Sequence, residues 1–326
     1  MISHLMRRAR GALAVAVATG ALFTAAVPAR AAAAPPVGAA GAILIDADSG
    51  AVLTSRAPDT RRQMASTTKV MTAAVVATLP GVDLDRKVTV KQEYLDYVYR
   101  EGASSAQLKA GASPTVRQLL YALMLPSGCD AAYALADTFG AGTTLASRKA
   151  DFVAKMNAKA KSLGMTNTVY DTFDGISPTG RNLTTPRDLA KLTRHAMGNT
   201  VFRTVVKTPS YGSGGTSALA TWTNSNLLVR PRSAGYGYPG AIGVKTGTGS
   251  AAGKCLVFSV TRGGKTVIGV LLNDEKRYTD SMMLSDWALG PASASGSGSG
   301  SASSSGSGSK NAVQGRSAEP VPDVLD

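Results

Sequence analysis

Apolar positions alternate or run together near the two ends of the central region and fall into helical spacing between them. The runs 42–45 and 51–53 flank the turn-rich Asp46-Ala-Asp-Ser-Gly50, the pattern of an antiparallel hairpin. From Ser66 the period turns helical, through Val70, Met71, Val75, Val76 and Leu79, until Pro80-Gly81 stops it. Residues 87–90 read as a short strand, and Ser113-Pro114 caps a helix over 115–125 that Pro126 ends. Ser127-Gly128-Cys129 falls in the following turn, and Asp130 opens the next helix, through Leu135 and Phe139. Val153, Met156, Ala160 and Leu163 predict another, closed by Gly164, and Thr185-Pro186 opens one through Leu189, Leu192 and Met197. Residues 201–207 read as extended or as the end of that helix, and 208–220 as a glycine-rich connection. Strands follow at 241–245, 254–261 and 266–272, the last two joined by Arg262-Gly-Gly264, and a short helix at 282–289 closes the pattern. Strands at both ends of a helical middle (about 80–200) predict an α/β fold of α+β layers. One antiparallel sheet built from distant sequence carries helices and an inserted helical lobe.

The termini do not continue this pattern. His4, Arg7, Arg8 and Arg10 precede a small, apolar, alanine-rich run over 11–27, and Ala29-Arg30-Ala31 offers a small-x-small cleavage site. Residues 1–31 therefore read as an export signal; the run is short and weakly hydrophobic for a membrane-spanning anchor, the alternative reading. From 292 to 309 the chain is almost entirely Ser, Gly and Ala, a composition that cannot offset the entropy of ordering its backbone, so 291–326 is expected to be a disordered tail. Neither an apolar span nor a basic amphipathic helix follows the folded region, which argues against a C-terminal anchor. The domain proper is then 32–290, long enough for one large domain with an inserted lobe.

The formal charge is +14, and removing the four leader arginines leaves +10. Such a balance favours anionic surroundings, either wall polymers or nucleic acid. No zinc-finger spacing, dense basic tract or aromatic–basic repeat supports nucleic acid, so the charge is read as attraction to a cell envelope. Two histidines, His4 and His195, leave a zinc centre or a Ser-His-Asp triad without enough side chains, and no metal or cofactor is expected. Of these, His195 reads as a helix-surface residue. The two cysteines, Cys129 and Cys255, would pair by default in an exported protein, but Cys129 sits inside a candidate active-site motif.

That motif is one of three. Ser66-Thr-Thr-Lys69 puts a hydroxyl and an amine on one side of a helix start, where the amine can accept the serine's proton if burial or a neighbouring cation disfavours the ammonium. Ser66 is the candidate nucleophile and Lys69 its base. Ser127 is placed to bridge Lys69 and Lys245 and to relay a proton to a leaving amine. Lys245 and Thr246 suit a substrate carboxylate, and Gly247 permits close backbone approach. The Ser66 and Thr248 N–H groups are candidate oxyanion donors.

The phrases Ala65-Ser-Thr-Thr-Lys-Val-Met-Thr72, Leu123-Met-Leu-Pro-Ser-Gly-Cys-Asp130 and Gly240-Ala-Ile-Gly-Val-Lys-Thr-Gly247 resemble the penicillin-recognising serine D,D-peptidases over most of 40–290. They look most similar to low-molecular-mass secreted D-Ala-D-Ala carboxypeptidases of family S11. The resemblance implies a β-lactamase/transpeptidase-like fold with a five-stranded antiparallel sheet. It also implies acylation of Ser66 by peptidoglycan stems ending in D-Ala-D-Ala, and trapping of the same serine by β-lactams. A monomeric, secreted, wall-associated protein follows from the same likeness. The family's middle motif usually ends in asparagine, and Cys129 departs from it, since a thiol cannot present an amide's donor and acceptor together. Streptomyces-type D,D-transpeptidases share the Ser-Gly-Cys form, and on that likeness Cys129 is expected to be unpaired. Two other readings are a serine β-lactamase, with Asp171, Asp174 and Asp188 in the stretch where a water-activating carboxylate would lie, and a non-catalytic exported wall-binding protein.

Overall fold

The computed structural model describes residues 33–212 and 221–292. The leader, the Ser/Gly-rich tail and most of the glycine-rich connection at 208–220 lie outside the described residues.

The chain opens with β1 (Gly41–Asp46) and β2 (Val52–Arg56), the expected hairpin, then a two-residue strand β3 (Arg62–Gln63) and a 3-10 turn (Ala65–Thr68). The helical middle follows: α1 (Lys69–Ala77), α2 (Gln92–Arg100), α3 (Val116–Met124), α4 (Cys129–Phe139) and α5 (Leu145–Ser162). After β4 (Leu183–Thr184), which pairs with β3, come α6 (Pro186–Met197) and α7 (Thr200–Lys207). The short pair β5 (Ser210–Tyr211) and β6 (Trp222–Thr223) leads into β7 (Ala241–Gly249), β8 (Gly253–Arg262) and β9 (Lys265–Leu272), and α8 (Arg277–Leu289) ends the fold.

The main sheet is antiparallel with strand order β2-β1-β9-β8-β7, so the first strand lies inside the sheet against the last. Alternation along each strand feeds two cores. Ile43, Ile45, Val257, Ile268 and Val270 face the helical body, while Ala42, Leu44, Leu256, Phe258 and Leu271 face α8 with Tyr278 and Leu284. Both sheet faces are covered, which is why these strands read as nearly continuous apolar runs. At the centre of the larger core α1 is buried at every position, Lys69 included, as an apolar-all-round helix must be.

Several expectations need correction. Residues 87–90 form no regular strand: Lys87 makes one isolated bridge to Thr115, and Val88 N and Val90 N donate to the Pro114 and Ala112 carbonyls just before α3. Residues 201–207 are helical, because Asn199 caps them through its side chain and Phe202, Val205 and Val206 supply a buried stripe. Ser66 lies in the 3-10 turn rather than in the α-helix, which begins at Lys69. Cys129 is the first residue of α4 rather than a turn residue.

Candidate active site

Three elements converge on Ser66. The first is the 3-10 turn, entered through Ala65 in the left-handed region (φ 44°) and stitched by hydrogen bonds from Thr67 Oγ1 to the Met64 carbonyl at 2.6 Å and from Thr68 Oγ1 to the Ala65 carbonyl at 2.8 Å. Bringing Lys69 one turn after Ser66 puts its Nζ 3.0 Å from Ser66 Oγ. The same amine donates to the Asp174 backbone carbonyl at 2.9 Å. Lys69 is wholly buried, and Ser66 is half-buried at the rim.

The second element is the turn between α3 and α4. Pro126 stops α3, and Ser127 takes a left-handed conformation (φ 68°), a costly choice for a residue with a Cβ and one often kept where a side chain must be aimed. Its hydroxyl is buried and makes no hydrogen bond within the protein. The expected bridge from Ser127 to Lys69 and Lys245 is therefore not made; the partners of Lys69 Nζ are Ser66 Oγ and the Asp174 carbonyl. Cys129 is buried beside it, with Sγ 3.6 Å from Ser104 Oγ. Burial pushes its thiol up, the Asp174 charge adds to this, and Lys69 and Ser104 pull only partly the other way. Cys255, on β8, is also buried, its thiol pushed up to about 11 by burial, and neither cysteine is in a disulfide.

The third element is β7, an edge strand that runs past the 3-10 turn. A Cβ on Gly247 would stand 3.0 Å from the Met64 carbonyl, 3.1 Å from Thr67 N and 3.2 Å from Ser66 N, so a side chain there would press the strand and the nucleophile's turn apart by a few tenths of an ångström. Lys245, buried on the same strand, donates to the Thr246 carbonyl at 3.0 Å, and the Thr246 and Ser225 hydroxyls are 2.8 Å apart. Thr248 is exposed, and its Oγ1 accepts from the Arg277 guanidinium at 3.1 Å.

The structure thus gathers Ser66, Lys69, Ser127, Cys129, Lys245, Thr246, Gly247 and Thr248 on three adjoining elements. The three aspartates do other work. Asp188, in the first turn of α6, ties that helix to the preceding loop by accepting from Asn167 N and Thr168 Oγ1, and Asp171 accepts from Ser177 and Thr179. Asp174 is fully buried, with Oδ2 accepting from Tyr97 Oη at 2.7 Å. Each of these carboxylates is hydrogen-bonded to groups other than Ser66. His195 sits exposed on α6. Sequence reasoning missed Asp174 as a backbone acceptor, Ser225 and Arg277. Nothing marks a carbonyl in a sequence, and Arg277 is one basic residue in the charged run 274–277.

A serine beside a buried lysine, a second serine on a turn and a Lys-Thr-Gly strand can together take the acyl group of an amide onto the serine, expel the amine and later release the acyl group. The family model described as D-alanyl-D-alanine carboxypeptidase, peptidase S11, matches residues 28–276. The chain belongs to this family. It is a penicillin-binding serine D-alanyl-D-alanine carboxypeptidase/D,D-transpeptidase. Among its curated relatives, the D-alanyl-D-alanine carboxypeptidase of Streptomyces sp. strain K15 is 49% identical over 275 residues, 81% of this chain and 92% of that one. The carboxypeptidase DacB2 of Mycobacterium tuberculosis is 35% identical over 261 residues, 77% of this chain and 83% of that one. The crystal structure of the Streptomyces K15 D,D-transpeptidase superposes with a TM-score of 0.73 at 48% identity, covering 78% of this chain and 98% of that chain. Its likeness confirms the transpeptidase fold, with the five-stranded antiparallel sheet and flanking helices.

Proposed function

We propose that Ser66 is the acylated nucleophile and Lys69 the base that activates it. The observation that carries this is the 3.0 Å approach of Lys69 Nζ to Ser66 Oγ in a site where the amine is buried and already committed to the Asp174 carbonyl. In the proposed step one Lys69 N–H stays on the Asp174 carbonyl while the side of Nζ that faces Ser66 takes up the hydroxyl proton. The Ser66 oxygen attacks the carbonyl of the penultimate D-alanine as its proton passes to Lys69. The Ser66 and Thr248 N–H groups receive the oxyanion. As the tetrahedral centre collapses, the Ser127 hydroxyl, which has no protein partner, relays a proton to the leaving D-alanine nitrogen. Lys245 and Thr246 bind the terminal carboxylate of the stem peptide, and Ser225 holds the Thr246 hydroxyl in line.

Water or an acceptor amine then takes the acyl group from Ser66. A rapid β-lactamase needs a carboxylate to activate that water, and Asp171, Asp174 and Asp188 are all engaged elsewhere. We place the reaction outside the cell, on the wall, from the leader's composition and the +14 charge; among the described residues no helix is long and apolar enough to cross a membrane.

Mass spectrometry of a stem peptide ending in D-Ala-D-Ala, with and without an acceptor amine, separates the outcomes. A truncated peptide reports hydrolysis and an acceptor-linked one reports transfer. A reporter β-lactam should label the wild type and leave both Ser66→Ala and Lys69→Ala unlabelled. Normal labelling of Lys69→Ala would refute the base assignment.

A further inference from the structure

Helix α2 is mostly exposed, with Tyr94 its one buried residue, yet two of its tyrosines reach inward to carboxylates. Tyr94 Oη donates to Asp137 Oδ2 at 2.5 Å, in the helical lobe. One turn on, Tyr97 Oη donates to Asp174 Oδ2 at 2.7 Å, in the loop beside Ser66. The second oxygen of Asp174 accepts from Ile176 N at 3.0 Å, and its backbone carbonyl accepts from Lys69 Nζ at 2.9 Å. One residue therefore joins a surface helix to the amine at the centre of the site. Burial and the adjacent Asp174 charge push the Tyr97 phenol far above its ordinary value, so it stays a donor wherever the protein is folded.

The loop has little room to compensate. Gly175 (φ +100°) presses so closely on the 3-10 turn that a Cβ would lie 2.1 Å from the Ala65 carbonyl. Thr72 Oγ1 donates to the Phe173 carbonyl, and Asn182 Nδ2 ties Thr68 Oγ1 at 2.9 Å to Thr172 Oγ1 at 3.3 Å. These bonds hold the loop against the turn, but the Tyr97 bond is the one that fixes the Asp174 side chain from the lobe side. Losing it strands a buried acceptor, and turning the peptide toward another donor would swing the carbonyl away from Lys69.

We propose that Tyr97 is a positioning residue for acylation: its hydroxyl, through the Asp174 side chain, fixes the backbone carbonyl that aims the Lys69 amine at Ser66. The inference rests on the reading of Lys69 as the base. Tyr97→Phe is a clean probe, because the ring keeps its edge-on contact with Tyr133 (centroids 5.2 Å apart) and its tilted contact with Phe173 (5.9 Å). Tyr94→Phe is the matched control, deleting the equivalent hydroxyl from the same helix on the side away from the site.

The test is stopped-flow acylation by a fluorescent penicillin in the full chain, with thermal unfolding alongside. Tyr97→Phe is expected to cut the saturating acylation rate by about ten- to a hundredfold, the scale of a slightly misplaced reacting group, with the half-saturating concentration nearly unchanged. Asp174→Ala should lose as much, and the double variant no more than either single one, because the two residues act as a unit. Tyr94→Phe should lower the melting temperature while acylating at the wild-type rate. A wild-type rate in Tyr97→Phe, an equal slowing in Tyr94→Phe, or additive losses in the double variant would each overturn the proposal. Normal acylation in Lys69→Ala would instead remove the base assignment, and this proposal with it, whatever the tyrosine variants do.

Discussion

At Cys129 the chain places a thiol where the family usually has an asparagine amide. The sulfur is fully buried, 3.6 Å from Ser104 Oγ, and its raised pKa leaves it protonated at neutral pH. A protonated, shielded thiol is a poor nucleophile, so its chemistry and that of Ser66 do not compete. We expect iodoacetamide at pH 7.5 to modify neither Cys129 nor Cys255 in the folded protein and both after denaturation; rapid native labelling of Cys129 would contradict this. Cys129→Asn restores an amide at the start of α4 and should leave acylation intact while changing how fast the acyl group departs, read by reporter release over time. Unaltered release would show that residue 129 does not touch the acyl chain. The catalytic candidates were legible in the sequence because their residue types and order carry the chemistry. The Asp174 carbonyl was not, since any residue supplies one and only the fold decides where it points.

Among the elements, those with strong periods and caps were readable. Helix α6 starts at Thr185 with Pro186 behind it, as expected, and α3 lies where the sequence predicts a helix, although its cap is the Thr115–Gln118 box rather than Ser113-Pro114. Helix α2 was overlooked although Tyr94, Leu95, Tyr97 and Val98 recur at helical spacing, because the stripe is short and three of its four residues are aromatic or β-branched, types that also suit a strand. Polar bonds also secure it. Burial pushes the Asp137 carboxyl up, but hydrogen bonds from Lys91, Tyr94 and Arg148 together outweigh that and hold it below its ordinary value of 3.8. A depressed carboxyl contributes stability that is complete above the unfolded-state value and fades as pH falls through the folded one. Asp137→Asn should therefore melt at a lower temperature than wild type at pH 7, with the gap closing below about pH 3.8. A gap that stays constant through that window would show that charge is not what Asp137 contributes.

On the scale of the whole molecule, the sheet order β2-β1-β9-β8-β7 makes the N-terminal hairpin wait for the C-terminal one. Ile43 pairs with Val270, and Gly247 lies against the Ser66 turn only because β7 is laid down beside β8, itself laid against β9. Such non-local pairing is expected to fold slowly, since loop closure must come before the contacts that reward it. Refolding from urea should show β-lactam labelling returning together with near-ultraviolet dichroism and after helical signal. Labelling that precedes tertiary order would mean that the Ser66 turn works without the sheet. If it does not, a growing or threading chain carries its serine as an inert residue for nearly its full length. The reactive centre is then switched on by completion of the sheet itself.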